Sequence, residues 1–281
     1  MIKKIKAGFD KLKYGFFEDN RVGIIKLEGI ILDTGSFPVA TKFVESLKTA
    51  KKLDIKNIVI RINSPGGTVG ASQEICREIK KAREDGVKII ASLGDVAASG
   101  GLYVAVAADK IVSNPGTVTG SIGVIIKTNV LKTLYQKIGI DSEVVKSGEY
   151  KDILSNTKYL SNEEKEILQS LIDSTYEQFV EEVVQNRKIS REEVKKFADG
   201  RIFSGIQAKE LGLVDEIGSM SDAVDLAAKL AEMKEKPITV DLTPKKTFIQ
   251  KVTGASVLEI LENAGINALY KRVPLWLMSD F

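Results

Sequence analysis

Apolar positions in the first half of the chain fall into two alternating periods. Short β-branched runs at residues 21–31, 57–62 and 87–92 have the density of buried strands. Between them, residues from about Pro38 to Leu53 and from Val69 to Glu84 carry apolar side chains at helical spacing. Asp33-Thr34-Gly35-Ser36 and Ser64-Pro65-Gly66-Gly67 read as the loops that join strand to helix. Strands alternating with helices of this length predict parallel βαβ units. The pattern continues with an alanine-rich helix over residues 101–108, a strand at 110–113, and a glycine-punctuated strand within 119–125. The longest helical stretch spans Ser161 to Arg187 and opens on Ser161-Asn162-Glu163-Glu164, the spacing of a capping box. Short strands at 200–203 and 212–215 flank a helical turn, and one strand and one helix follow Pro237 before a final apolar run, Val273 to Met278.

Composition narrows the class. A chain of 281 residues suffices for one large α/β domain with an appendage, and 43% hydrophobic with 28% charged residues is the balance of a soluble globular protein. The net charge of +3, from 41 basic and 38 acidic residues, is too even to indicate nucleic acid. The segment from Lys3 to Lys13 mixes basic and apolar positions, which suits either a solvated start or contact with anionic lipid headgroups. Cys76 is the only cysteine, so neither an intramolecular disulfide nor a cysteine metal cage is available, and no metal or cofactor is expected. No run reaches the roughly 20 apolar residues that span a bilayer. The expected location is the cytoplasm or the cytoplasmic face of the membrane.

The chain contains no histidine. A nucleophilic serine would therefore have to be activated by something other than imidazole. Ser99 sits in Ala97-Ala98-Ser99-Gly100-Gly101, a small-residue turn before a helix, where a hydroxyl is accessible and Gly100 can offer its N–H to developing negative charge. Read alone, the same turn is an ordinary N-cap. A glycine of Ser64-Pro65-Gly66-Gly67, after a strand and before a helix, is placed to supply a second amide, although Pro-Gly-Gly is also common turn punctuation. Lys151, in Ser147-Gly148-Glu149-Tyr150-Lys151-Asp152, is the candidate proton acceptor. A lysine works as a base only when neutral, so its surroundings must lower a pKa of about 10.4 by about 3, roughly 4 kcal/mol. Ser121 is a candidate to orient that amine, or else a turn serine.

Four blocks resemble, in order, those of the signal peptide peptidase A family of bacterial and archaeal Ser-Lys proteases. They are Asn63 to Gly67, Gly94 to Gly101, Thr119 to Val124 and Lys146 to Asp152, and Gly200 to Ala208 with Gly212 to Asp215 extends the likeness. The resemblance implies Ser99 as nucleophile, Lys151 as general base, Ser121 as its orienting hydroxyl, and Gly66 with Gly100 as the oxyanion-hole amides. It also implies a Clp/crotonase-like α/β spiral of repeated ββα units, with a C-terminal helical extension. The implied partners are extended peptides, remnant signal peptides among them, and further copies of the chain in a ring of eight whose dyads join serine and lysine from neighbouring protomers. Members of that family carry an N-terminal membrane anchor that is not seen in this sequence.

The expected organisation is a basic segment over 1–20, a peptidase domain over 21–235, and an extension over 236–281 devoted to subunit contacts, with Trp276 exposed on it. Two rival readings are a crotonase-like acyl-CoA enzyme, which needs the amides but not the serine, and a non-catalytic ring scaffold.

Overall fold

Three neighbouring parallel strands set the frame: β1 (Arg21–Glu28), β2 (Asn57–Ser64) and β4 (Lys88–Ala98). The computed structural model describes residues 20–34, 38–244 and 274–278. Successive side chains of a strand point to opposite faces, and here both faces are apolar. Ile25, Ile58, Ile60 and Ile89 enter one core; Ile24, Val59 and Ile90 enter a second. The first core is closed by α1 (Val39–Lys52), through Ala40, Phe43, Leu47 and Ala50, and by α2 (Val69–Glu84), through Ala71, Ile75, Cys76 and Ile79. The second is closed by α8 (Met220–Leu230), whose Ala223, Val224, Leu226 and Ala227 form its buried face. This is the predicted α/β architecture.

The strand β4 is longer than its apolar run suggests, extending through Ala98 instead of stopping at Ser92. The reason is a fork in the sheet. Its first half pairs with β5 (Lys110–Ser113), and its last residues, Val96 to Ala98, pair with β6 (Val118–Gly120). Beyond β6 lies the antiparallel β7 (Ile202–Phe203); beyond β5 lies β8 (Glu216–Ile217), just past the predicted 212–215. Helix α3 (Gly100–Ala105) starts directly after β4, and every one of its residues is buried.

Ser64 to Gly67 is not wholly a loop. Gly66–Thr68 forms a short strand, β3, because it finds an antiparallel partner in β10 (Leu275–Leu277), more than 200 residues away. Sequence periodicity carries no trace of such a pairing. β9 (Ile238–Asp241) lies parallel to β1, so the folded domain continues beyond residue 235, and part of the expected subunit-contact extension is built into the chain's own sheet. The predicted helix after Pro237 and the basic segment Lys3 to Lys13 lie outside the described residues.

Helix α5 (Asn162–Arg187) begins where the capping-box pattern put it. Ser161 Oγ accepts from the Glu164 N–H at 3.2 Å, and the Glu164 carboxylate accepts from the Ser161 N–H at 3.0 Å. Between β6 and α5 the chain forms an arm containing only α4 (Lys132–Lys137), which buries none of its residues. Residues 136–151 are all exposed. Of the remaining helices, α6 (Arg191–Lys195) packs on α5, and α7 (Gly205–Glu210) packs on the edge strands β6, β7 and β8. Among the described residues no helix is long and apolar enough to cross a membrane.

Candidate active site

β4 and β6 deliver two serines side by side. Ala98 is paired with Gly120, so the next residue on each strand, Ser99 and Ser121, leaves the sheet at the same level. The Ser99 N–H donates to Gly120 O at 2.8 Å, and the Ser121 N–H donates to Arg201 O at 2.8 Å, which fixes both turns. Ser99 has φ 53° and ψ −118°, and Ser121 has φ 52°. Positive φ is costly for a residue with a Cβ, and such strain persists where the surrounding structure enforces it. A serine on a strained strand-to-helix turn is the arrangement of a nucleophile elbow.

The cap reading of Ser99 fails on geometry. Its side chain makes no capping bond to α3; Oγ is buried and has no hydrogen-bond partner. Most buried polar atoms in folded proteins are satisfied, so an orphaned hydroxyl at a strained turn is a group held ready for something else.

Three backbone elements converge on this hydroxyl's helix. A methyl on Gly66 would overlap the carbonyl oxygen of Trp276 and lie 2.8 Å from the Gly100 nitrogen. A methyl on Gly100 would lie 3.0 Å from that same oxygen and 3.2 Å from the Gly67 nitrogen. The backbones of Gly66 and Gly100 thus both lie close to the Trp276 carbonyl. As the first residue of α3, Gly100 has an N–H with no acceptor inside the helix.

The ladder settles which glycine turns its amide this way. Gly66 O accepts from Ile31 N at 2.8 Å and Thr68 N donates to Ile31 O at 2.9 Å, so both point away from β10. Gly67, between them and opposite Trp276, points towards it. The Gly66 N–H is used elsewhere, donating to Ser64 Oγ at 3.1 Å. Gly66, with φ 106°, gives the close approach, and Gly67 gives the amide. Of the two glycines, it is Gly67 whose amide faces β10, while that of Gly66 is taken by Ser64.

Residues 274–278 run between β3 on one side and an isolated bridge to Ile125 on the other. Met278 N donates to Pro65 O at 2.9 Å on one side, while Ile125 and Leu275 exchange two bonds of 3.2 and 3.1 Å on the other. The Trp276 side chain is fully buried, not exposed as the apolar run suggested. Its ring lies 4.0 Å from that of Tyr103 and 5.0 Å from that of Phe179, centre to centre, and burial pushes the Tyr103 phenol up in pKa. Trp276 Nε1 is buried without a partner. Sequence reasoning missed Tyr103, Phe179 and Ile125 as neighbours of residues 274–278; the one available sign was the chain's single tryptophan inside a terminal apolar run.

Lys151 is not brought to Ser99 within one chain. It lies on the exposed arm, in a turn where its N–H donates to Gly148 O at 3.1 Å. The turn is braced from beside it. Asp152 Oδ1 accepts from Lys146 Nζ at 2.7 Å and Lys158 Nζ at 3.0 Å, and these bonds hold its carboxyl down to about 2. Lys158 also donates to Glu164 at 2.5 Å, tying the turn to the capping box of α5. Apolar side chains crowd the same arm without cover: Leu134, Ile138, Ile140, Val144 and Tyr150 are exposed, and Val145 is 97% exposed. A surface of that kind is a contact surface. Among the described residues, no three of Cys, Asp and Glu cluster in a way that holds a metal ion.

Comparison with known proteins places these features in company. The profile of peptidase family S49 matches residues 81–234, and that of Clp protease matches residues 23–117. A Synechocystis protein named as a protease is 42% identical over 258 residues, covering 87% of this chain and 93% of its own length. An Enterococcus faecium protein named as a signal peptide peptidase SppA is 34% identical, covering 83% of this chain and 72% of its own length. The chloroplastic serine protease SPPA of Arabidopsis thaliana is 33% identical over 84% of this chain, which spans 36% of that longer protein.

Proposed function

The chain belongs to peptidase family S49, the signal peptide peptidase A family, and is a serine-type peptidase of Clp/crotonase-like α/β fold; from that premise we propose that it is an endopeptidase whose nucleophile is Ser99. Membership sets aside the acyl-CoA enzyme and the non-catalytic scaffold. The observation that carries the residue assignment is the buried, unpartnered Ser99 Oγ on a strained turn, next to two convergent glycine amides.

In the proposed reaction an extended peptide lies between β3 and Ile125, and Ser99 Oγ attacks a carbonyl carbon. The hydroxyl proton passes to the neutral amine of Lys151, and the Gly67 and Gly100 N–H groups hold the resulting oxyanion. The C–N bond breaks, the leaving amine takes the proton from Lys151, and an ester remains on Ser99. Water, giving its proton to the same lysine, hydrolyses that ester. Ser121, level with Ser99, holds the lysine amine in line.

The lysine is supplied by a neighbouring copy. Support comes from the geometry of the single chain, where Lys151 is exposed on an apolar arm while Ser99 lacks a partner. Packing that arm against another protomer covers the apolar side chains and gives the amine the dry setting its chemistry requires. A ring, of eight copies by the family resemblance, meets both demands at once. Remnant signal peptides, short and unfolded, fit a groove that accepts only extended chain. The proposal is tested by kcat for a fluorogenic unstructured peptide in Ser99→Ala, Lys151→Ala and the parent: both variants lose turnover, and full activity in either refutes the residue it lacks.

A further inference from the structure

We infer that Phe203 is a positioning residue for the reaction, its ring being the wall that holds Gly120, and through Gly120 both serine turns, in place. The inference rests on the peptidase reading and adds to it a residue from a third strand. Gly120 is the point where the two turns meet: its carbonyl accepts the Ser99 N–H at 2.8 Å, and the next residue is Ser121. Its own φ is 85°. A glycine reaches that conformation without strain and leaves it as readily, so the turn has to be held from outside. One restraint is the ladder to Ala98, and another is Phe203. A methyl on Gly120 would lie 2.6 Å from Cδ2 and 3.2 Å from Cε2 of the Phe203 ring, so the ring is seated directly against the glycine.

The strand that carries the ring is braced at both ends. Ahead of it, Gly200 N donates to Ile122 O at 3.1 Å, Arg201 O accepts from Ser121 N, and Arg201 Nε holds the Asp199 carboxylate with bonds of 2.7 and 3.0 Å. After it, Ser204 caps α7 in a capping box with Gln207. In the order of the sheet β6 lies between β7 and β4, so the ring acts on Ser99 across one strand. It belongs to neither β3 nor the Ile125 bridge, the elements proposed to pair with substrate. The ring is half-buried: it meets Phe197 edge-to-face with centres 6.1 Å apart, and it borders an open cleft of about 610 Å³ that also takes in Ile189 and Leu211. With the ring gone, the space beside Gly120 opens onto that cleft and the glycine is free to relax. A displacement of about 1 Å in a reacting group costs about 10² in rate.

Phe203→Ala and Phe203→Tyr are compared with the parent for kcat and KM on a fluorogenic unstructured peptide, with sites counted by the end point of phosphonate labelling at Ser99. In Phe203→Ala, kcat per labelled site should fall about tenfold to a hundredfold while KM stays within about twofold, and Phe203→Tyr, which keeps the ring, should recover to within about threefold of the parent. Combining Phe203→Ala with Ser121→Ala should lower kcat by less than the product of the two single losses, because both act on one turn. Parental kcat per site in Phe203→Ala, a loss confined to KM, or fully multiplicative losses in the double variant would overturn the inference. If Phe203→Ala does not fold, Phe203→Leu takes its place with an expected loss in kcat of about threefold to tenfold, and parental kcat in that variant overturns the inference in the same way. Failure of the peptidase reading looks different, since the parent itself would then show neither turnover nor labelling at Ser99.

Discussion

Ser99 and Ser121 emerge from paired positions on adjacent parallel strands, each with φ just above 50° and each with its N–H tied to a neighbouring carbonyl at 2.8 Å. In the proposed reaction these two serines, held at one level, have paired roles, one to react and one to aim. Ser121→Ala should keep the fold, because the Ser121 turn is fixed by backbone bonds, and should lower kcat by about tenfold to a hundredfold through a misdirected base. A pH–rate profile shifted in Ser121→Ala, with KM unchanged, checks the positioning role; an unchanged profile and kcat would remove it.

Gly66 tolerates no side chain. Its φ of 106° is glycine territory, and a methyl would overlap the Trp276 carbonyl and press on the Gly100 amide. Gly66→Ala should lose about 1–3 kcal/mol of stability. By spoiling the approach to the two proposed oxyanion donors it should also cut kcat by about 10² to 10³. Thermal unfolding and peptide turnover on the same preparation measure the two effects.

Lys151→Ala should lower kcat by about 10² to 10⁴, the usual range for a general base, with little change in melting temperature because the side chain is exposed in the chain. If serine and lysine come from different copies, mixing Ser99→Ala with Lys151→Ala chains after dissociation and reassembly should restore about a quarter of parental activity, the fraction of sites that draw a good residue from each. No recovery would place both residues of a dyad in one chain.

The brace under Lys151 sets a pH window. Asp152 is lowered to about 2 from 3.8 by its bonds to Lys146 and Lys158, and Lys158 is raised above 10.5 by its bonds to Glu164 and Asp152. A lowered carboxylate contributes fully above its unfolded value and loses that contribution as pH falls through the folded one; a raised lysine contributes below 10.5 and loses it above. The brace is therefore intact from about pH 4 to about pH 10. Within that window Asp152→Asn should lower kcat/KM by a constant factor and leave the shape of the pH profile unchanged. A changed shape would mean that Asp152 does more than brace the turn.

Much of this was legible in local pattern. β2, α2 and β5 fall where periodicity put them, because each buries a regular face. The capping box at Ser161 was readable because it is made by residues three apart. Ser99 and its glycines stood out because a chain without histidine leaves few ways to activate a serine. What escaped depends on distant partners. The β3 glycines look like a turn until Leu275–Leu277 pairs with them, Gly66 and Gly67 are distinguished by the bonds β3 makes to Ile31 and by the amide that Ser64 takes, and Trp276 looks like a surface residue until Tyr103 and Phe179 close over it. Lys151 is conspicuous in sequence yet exposed in the chain, because its environment is made by surfaces that one copy does not contain.

The most direct test is intact-mass measurement after reaction with a peptidyl phosphonate, run on the parent, Ser99→Ala and Lys151→Ala. The account predicts one adduct per chain on the parent, localised to Ser99 by fragmentation, none on Ser99→Ala, and labelling slowed at least a hundredfold on Lys151→Ala. An adduct that persists in Ser99→Ala, or a labelling rate indifferent to residue 151, would contradict it.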